Sequence, residues 1–373
     1  MTNVWFVMKG MVIDMMEWEK NVRKVEPYVP GEQPKSTEVI KLNTNECPYP
    51  PAPGVRRKAE ELDYNRLRLY PDTEAGKLTD ALCGYYGISP EQLFIGVGSD
   101  DVLAMAFQTF FNSEKPVLFP DITYSFYDVW AELFRIPYVR KPLDENFRIV
   151  KEDYRTGNGG IVIPNPNAPT GVFEEVGMME EIIASNPSSV VIIDEAYVDF
   201  GGESCLRLIR KYDNLLVVQT FSKSRAMAGM RIGFAMGSPK LIGYLKDVKF
   251  AFNSYTMNMP SIELGAEAVK DAEYFRNTVN KIMHTREWVK KELSELGFVF
   301  PDSKANFIFA SHKTAAAKVI FEELKKRNIF VRFWDKPRIG NYLRITVGTD
   351  EQMEVLLENL KEIIAAQAEL KGV

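Results

Sequence analysis

The chain has 373 residues, which at roughly 150 residues per domain predicts one large domain and a smaller one. Hydrophobic residues make up 46% and charged residues 26%, so disorder, collagen and coiled coil are excluded for the chain as a whole. With 46 basic against 51 acidic side chains and a net charge of −5, nucleic acid and anionic membrane are excluded as principal partners, while a local basic patch for a small anion is allowed.

Residues 1–16 are rich in Met and apolar side chains but lack a basic start and a small-residue cleavage site. A poorly ordered leader is expected there rather than a signal peptide. An N-terminal arm over 17–45 follows and runs into the Pro/Asn-rich loop Lys41–Gly54. From Thr73 the apolar spacing of Leu78, Leu82 and Tyr85 predicts a helix. Six short apolar runs come next: Leu93–Val97, Pro116–Phe119, Ile161–Ile163, Val190–Ile193, Leu215–Gln219 and Ile232–Met236. Apolar on both faces and separated by helical or loop segments, they predict an α/β fold with a mostly parallel central sheet. A long helical stretch over Met259–Leu296 leads into strand-like Phe298–Phe300 and Asn306–Phe309. A helix over Thr314–Arg327, strands over Ile329–Phe333 and Tyr342–Val347, and a closing helix from Asp350 complete a smaller α+β unit. The division expected is a large domain over 46–260 and a small one over 261–373, with the boundary near Pro260.

The only histidines are His284 and His312, so no metal site built on imidazole is expected and no Ser-His-Asp machinery. Cys47, Cys83 and Cys205 form no CxxC pair and read as reduced thiols of a cytoplasmic protein.

Several strand ends carry chemistry. Lys223 follows the run Leu215–Gln219 and can act as an amine nucleophile if held near a crevice; otherwise it is a solvated lysine. Arg231 lies close enough in sequence to share an anion with Ser222, or it is a surface arginine in a turn. Asp194 follows four β-branched residues, so its carboxylate starts at the rim of the sheet and needs a partner. A protonated heteroaromatic nitrogen, a structural arginine and a helix N-terminus are the candidates. Asn167 sits in a Pro/Asn turn that needs no ligand to exist, yet its amide can reach a ligand oxygen. Gly98, Ser99 and Asp100 open an apolar helix, where free N–H groups bind phosphate or are capped by these side chains. Tyr124 is a ring-stacking candidate.

Together these residues form the inventory that holds pyridoxal phosphate. In order and wording the chain resembles the fold-type-I aminotransferases, and within them the histidinol-phosphate aminotransferase family. The matching stretches are EPYVPG (Glu26–Gly31), KLNTNECPYP (Lys41–Pro50), YPD (Tyr70–Asp72), GSDD (Gly98–Asp101), NAPTG (Asn167–Gly171), DEAY (Asp194–Tyr197), SKSRAMAGMRIG (Ser222–Gly233) and LRITVGT (Leu343–Thr349). The resemblance implies that Lys223 forms an internal aldimine with pyridoxal 5'-phosphate and shuttles the proton. Asp194 would pair with the ring nitrogen, Tyr197 and Asn167 with the ring hydroxyl, and Tyr124 with the ring face. Ser99, Asp100, Ser222 and Arg231 would hold the phosphate. Tyr70 would reach the phosphate of a neighbouring subunit, which implies a homodimer. Arg344 would grip the carboxylate of glutamate and 2-oxoglutarate, and Arg332 a phosphate-bearing tail, with Tyr28 and Asn45 contributing from the arm.

Three positions depart from the family pattern. Asp101 stands in place of Glu, Cys47 in place of Asn, and Ala168 in place of the Asn directly before PTG. The last moves the ring-hydroxyl role to Asn167. The implied reaction is ping-pong transamination of L-histidinol phosphate with 2-oxoglutarate. Aromatic amino acid transamination and phosphothreonine-type decarboxylation are the alternatives on the same scaffold.

Overall fold

The computed structural model describes residues 16–34 and 38–371; apart from Met16, the expected leader lies outside them. The arm contributes a two-residue strand β1 (Ile40–Lys41), followed by helices α1 (Pro53–Glu60) and α2 (Gly76–Tyr86). Then come β2 (Leu93–Gly96), α3 (Ser99–Phe110), β3 (Val117–Pro120), α4 (Phe126–Phe134), β4 (Tyr138–Lys141), β5 (Gly160–Pro164), α5 (Val176–Ser185), β6 (Val191–Asp194), β7 (Leu215–Thr220) and β8 (Gly233–Gly237).

Strands β2 to β8 form one sheet in the order β2-β8-β7-β6-β5-β3-β4. Only β8 runs against its neighbours; the remaining pairs are parallel. Every residue of β2, β3, β5, β6, β7 and β8 is buried, as helices covering both faces require. The six expected strands are therefore present. The seventh, β4, carries Arg140 and Lys141 and has two exposed residues, as suits the edge of a sheet. Its charged, half-exposed pattern gave no apolar run to detect.

The chain continues with α6 (Pro239–Phe252), α7 (Met259–Lys270), α8 (Ala272–Glu295), β9 (Phe298–Val299) and β10 (Phe307–His312). It closes with α9 (Ala317–Lys326), β11 (Ile329–Phe330), β12 (Arg332–Phe333), β13 (Leu343–Thr346) and α10 (Asp350–Lys371). The helical stretch expected over Met259–Leu296 is two helices. It breaks at Asp271, whose carboxylate accepts from the Tyr274 N–H and caps α8. Helix α7 packs on α1 and α2, and α8 on β9 and β10.

The four strands β12-β13-β10-β9 form an antiparallel sheet. The strand expected over Ile329–Phe333 changes partner at Val331: β11 pairs in parallel with β1, and β12 pairs with β13. The arm is thereby stitched to the C-terminal unit, and Leu42 is buried in that unit's core.

Candidate active site

Three neighbouring strands, β5, β6 and β7, end at Pro164, Asp194 and Thr220, and these ends open into one crevice. That is where an open, mostly parallel sheet places a ligand. The inner cavity there measures ≈ 180 Å³. A second cavity of ≈ 490 Å³ lies outside it and shares Thr44, Tyr124, Ala168, Tyr197 and Lys223 with it.

Asp194 is 5% exposed. Burial in the sheet rim pushes its pKa up to about 6, against the pull of a hydroxyl and an N–H that stabilise its charged form. Those donors are the Tyr127 hydroxyl, 2.8 Å from one carboxylate oxygen, and the Ala196 N–H, 3.2 Å from the other. Tyr127 comes from α4 and is fully buried. It had no signal in the sequence, because its partner lies 67 residues away.

Lys223 follows β7 and points across the crevice, where its Nζ donates to the Thr44 carbonyl at 3.2 Å. The Tyr197 ring lies 5.8 Å from the same Nζ and packs edge-on against Phe307. The Tyr197 hydroxyl accepts from the Asn45 amide at 2.8 Å. Glu46, paired with Lys41 at 2.7 Å, also lines the inner cavity and was not singled out from the sequence.

An anion cradle closes the far end. Gly98 takes φ +89°, and a Cβ there would sit 2.5 Å from Arg231 Nη2. Gly233 on β8 lies so close to Gly98 and Ser99 that a Cβ would overlap their backbone. The two glycines let the start of α3, the strand β8 and the Arg231 guanidinium converge. The open N–H groups of that helix start, Ser222 and Arg231 together suit an anion. Asp100 lines the cavity too, but its carboxylate accepts from Tyr124 at 2.8 Å and pairs with Arg231 at 3.4 Å. What Asp100 can offer an anion is its backbone N–H. Tyr124 is thereby fixed at the wall shared by both cavities.

The outer cavity carries the arginines. Arg332 and Arg344 stand directly opposite in the antiparallel pair β12–β13, so both guanidiniums leave the same face. Each lies over Trp334, at 5.3 and 5.2 Å. Arg332 faces the cavity and donates to the Val29 and Pro30 carbonyls. Arg344 donates to the Asn43 carbonyl at 2.9 Å, and its Nε is buried without a partner. Two like charges on one sheet face repel, and an anion between them relieves this. Tyr28 stacks on Phe126 at 4.2 Å and lines the same cavity.

Asn167, expected in this crevice, is placed elsewhere, and Tyr70, expected at a neighbouring subunit's site, does not line it. Asn167 lines neither cavity: its amide donates to the Ile122 carbonyl and Thr170 Oγ1 and accepts from Thr123 Oγ1. Ala168 faces the crevice instead, because the turn presents that neighbouring position to the cavity. Tyr70 is 82% exposed, lies against the Tyr255 ring in a tilted pair at 4.5 Å and sits on the outer surface beside Arg66 and Glu263. Asn45 is 1% exposed, with its amide engaged by Tyr197 and Thr346. Among the described residues there is no His/Cys/Asp/Glu cluster fit for a metal ion, and no helix long and apolar enough to cross a membrane.

A lysine at one strand end, a buried carboxylate at the next, an anion cradle and a wall of aromatic rings suit a planar cationic ring with an anionic tail. The family model for aminotransferase class I and II matches residues 37–360, and the chain belongs to that family. Within it, the chain is 52% identical over 350 residues to the histidinol-phosphate aminotransferase of Clostridium acetobutylicum, covering 93% of this chain and 99% of the relative. It is 50% identical over 349 residues to that of Lactococcus lactis subsp. cremoris, covering 94% and 98%. The fold is shared with the histidinol-phosphate aminotransferase from Sinorhizobium meliloti in complex with pyridoxal-5'-phosphate, at TM-score 0.80, 22% identity and 88% and 92% coverage. It is also shared with L-threonine-O-3-phosphate decarboxylase from Porphyromonas gingivalis, at TM-score 0.77, 18% identity and 88% and 100% coverage.

Proposed function

We propose that this chain is a pyridoxal-phosphate-dependent aminotransferase that moves the amino group of L-histidinol phosphate to 2-oxoglutarate, a step of histidine biosynthesis. The observation that carries the reading is the opposition of Lys223 and Asp194 in one crevice beneath two guanidiniums, in a chain about half identical, end to end, to curated histidinol-phosphate aminotransferases. The residues fit the cofactor. Asp194 is a buried carboxylate short of a cationic partner, and a protonated ring nitrogen supplies one. The Gly98–Gly233 cradle leaves room for phosphate where a Cβ would fill it.

When bound, the cofactor supplies a conjugated cationic ring that takes up the electron pair left at the substrate's α-carbon. Asp194 keeps the ring nitrogen protonated. Tyr197 would donate to the ring hydroxyl oxygen, Tyr124 would cover one ring face, and Ser99, Ser222 and Arg231 would hold the phosphate with the Asp100 N–H. The Lys223 amine would be the base that takes the α-proton and later returns it. Arg344 grips the carboxylate of glutamate or 2-oxoglutarate with its fork of donors, and Arg332 takes the phosphate of the donor. Tyr28 closes the outer wall.

A homodimer is part of the proposal. Tyr64, Leu67, Leu69, Tyr70, Phe252 and Tyr255 are exposed apolar side chains on the described surface, and Tyr70 would reach the partner's phosphate from there. A cytoplasmic setting is supported by the three cysteines, all unpaired. Aromatic amino acid transamination and phosphothreonine decarboxylation are not favoured. The decarboxylase shares the fold alone, whereas the curated relatives at about 50% identity share most of the chain.

Steady-state turnover tests the reading. Glutamate should form from 2-oxoglutarate with L-histidinol phosphate faster than with phenylalanine or tyrosine. Carbon dioxide release from phosphothreonine, or preference for the aromatic donors, would overturn it.

A further inference from the structure

Both polar atoms of the Asn45 side chain are engaged, and the order of their bonds fixes the direction of the next one. The Asn45 N–H donates to Thr346 Oγ1 at 3.0 Å, so that hydroxyl's own proton is free to point elsewhere. It points at Asn45 Oδ1, 3.1 Å away. The amide oxygen is thereby fixed on the Thr346 side, and the amide nitrogen must face Tyr197, whose hydroxyl oxygen is 2.8 Å away. The Asn45 carbonyl accepts from the Asn306 amide at 3.0 Å, and the backbone stands at φ +57°, a region that asparagine tolerates better than most side chains. The residue cannot rotate its amide without stranding a buried donor or acceptor.

A phenol has one proton. With its oxygen accepting from Asn45, Tyr197 is left to donate that proton into the cavity it lines. We infer that Asn45 is a positioning residue that aims the Tyr197 hydroxyl proton at the cofactor's ring oxygen, through a chain that runs Thr346 to Asn45 to Tyr197. The inference rests on the proposed cofactor reading. It matters more in this chain because Ala168 offers no amide to that oxygen and Asn167 is engaged elsewhere. Thr346 is also two residues beyond Arg344 on β13, so the same strand carries the carboxylate grip and the start of the chain.

Exchanging Asn45 for Asp keeps the shape and reverses the polarity. A carboxylate oxygen accepts from Tyr197 and draws its proton away from the cavity. The readout is the pH midpoint of the visible absorbance band of the Lys223-bound cofactor, which depends on how well the ring oxygen's negative charge is held. The other titratable groups facing Tyr197 are Lys223 behind its ring, Arg344 and Tyr28 from the outer cavity, and Tyr124 and Tyr127 from α4 and the loop before it. All of them are retained in the variants.

Asn45→Asp should raise the midpoint by at least about one pH unit, and Asn45→Ala and Thr346→Val by roughly half as much. In a Tyr197→Phe background, Asn45→Ala should add no further shift, because its effect passes through the lost hydroxyl. If Asn45→Asp does not fold, the Asn45→Ala and Thr346→Val pair carries the test by itself. An unchanged midpoint in the variants that fold, or an undiminished Asn45→Ala shift in Tyr197→Phe, overturns the inference. If wild-type protein forms no visible band with added pyridoxal phosphate, the cofactor reading fails instead.

Discussion

Exchanging Asp194 for Asn should make the cofactor-free protein more stable while weakening its hold on the cofactor. The carboxylate is buried and its pKa stands at about 6 against an ordinary 3.8. An acid with a raised folded-state pKa binds its proton more tightly when folded. The cost of its charge therefore grows as pH rises from 3.8 through 6 and is fully present above that. For this shift the cost is about 3 kcal/mol at pH 8 and roughly half that at pH 5. Asn keeps both partners: its oxygen accepts from the Ala196 N–H, and its amide N–H donates to the Tyr127 hydroxyl, which can turn to accept. Any change in those hydrogen bonds does not depend on pH, so the diagnostic quantity is the difference between the two conditions. Urea unfolding of cofactor-free wild type and D194N should show the variant's advantage to be larger at pH 8 than at pH 5, by roughly 1–2 kcal/mol. Cofactor affinity, measured by dialysis, should fall at least about tenfold, equivalent to about 1.4 kcal/mol. An advantage equal at both pH values, or one smaller at pH 8 than at pH 5, would refute the argument that Asp194 is a strained charge awaiting a cation.

Other perturbations have distinct signatures. Lys223→Ala should abolish turnover while leaving the fold and phosphate cradle intact; near wild-type transamination by that variant would show that Lys223 is not the reactive amine. Arg344→Ala should raise KM for 2-oxoglutarate roughly 10- to 100-fold, the worth of lost hydrogen bonds to a charged group, whereas Arg332→Ala should act on the phosphorylated donor and spare the acceptor. Tyr127→Phe leaves the buried Asp194 carboxylate one donor short and should cost about 1–3 kcal/mol in urea unfolding at pH 8. Gly233→Ala pushes a methyl into the Gly98–Ser99 backbone and should destabilise by about 1–3 kcal/mol, with faster cofactor loss on dialysis.

The buried strands were legible because each is an apolar run with a polar residue at its carboxyl end, and Asp194 and Lys223 were legible because they end or follow such runs. What stayed hidden depends on contacts distant in sequence. Strand β4 is charged and at the edge, so it has no apolar signature. Strand β1 is two residues long and exists through its pairing with β11 near the other end of the chain. Tyr127 reads as one more aromatic residue on α4 until the helix is laid beneath β6. Asn167 was given the ring-hydroxyl role because Ala168 has no amide, but the turn presents Ala168 to the crevice and ties the Asn167 amide to Ile122 and Thr170, contacts that the sequence does not show. Asn45 was assigned to the right region, but its partners, Tyr197 and Thr346, come from two distant parts of the chain.

The central claim is tested most directly by the absorbance spectrum of purified protein loaded with pyridoxal phosphate, before and after L-histidinol phosphate is added without a keto acid. The account predicts that the visible band of the Lys223-bound cofactor bleaches, and does so faster than with phenylalanine or tyrosine at equal concentration. A band that responds only to the aromatic amino acids would contradict the substrate assignment, and the absence of any band would contradict the reading of the whole crevice.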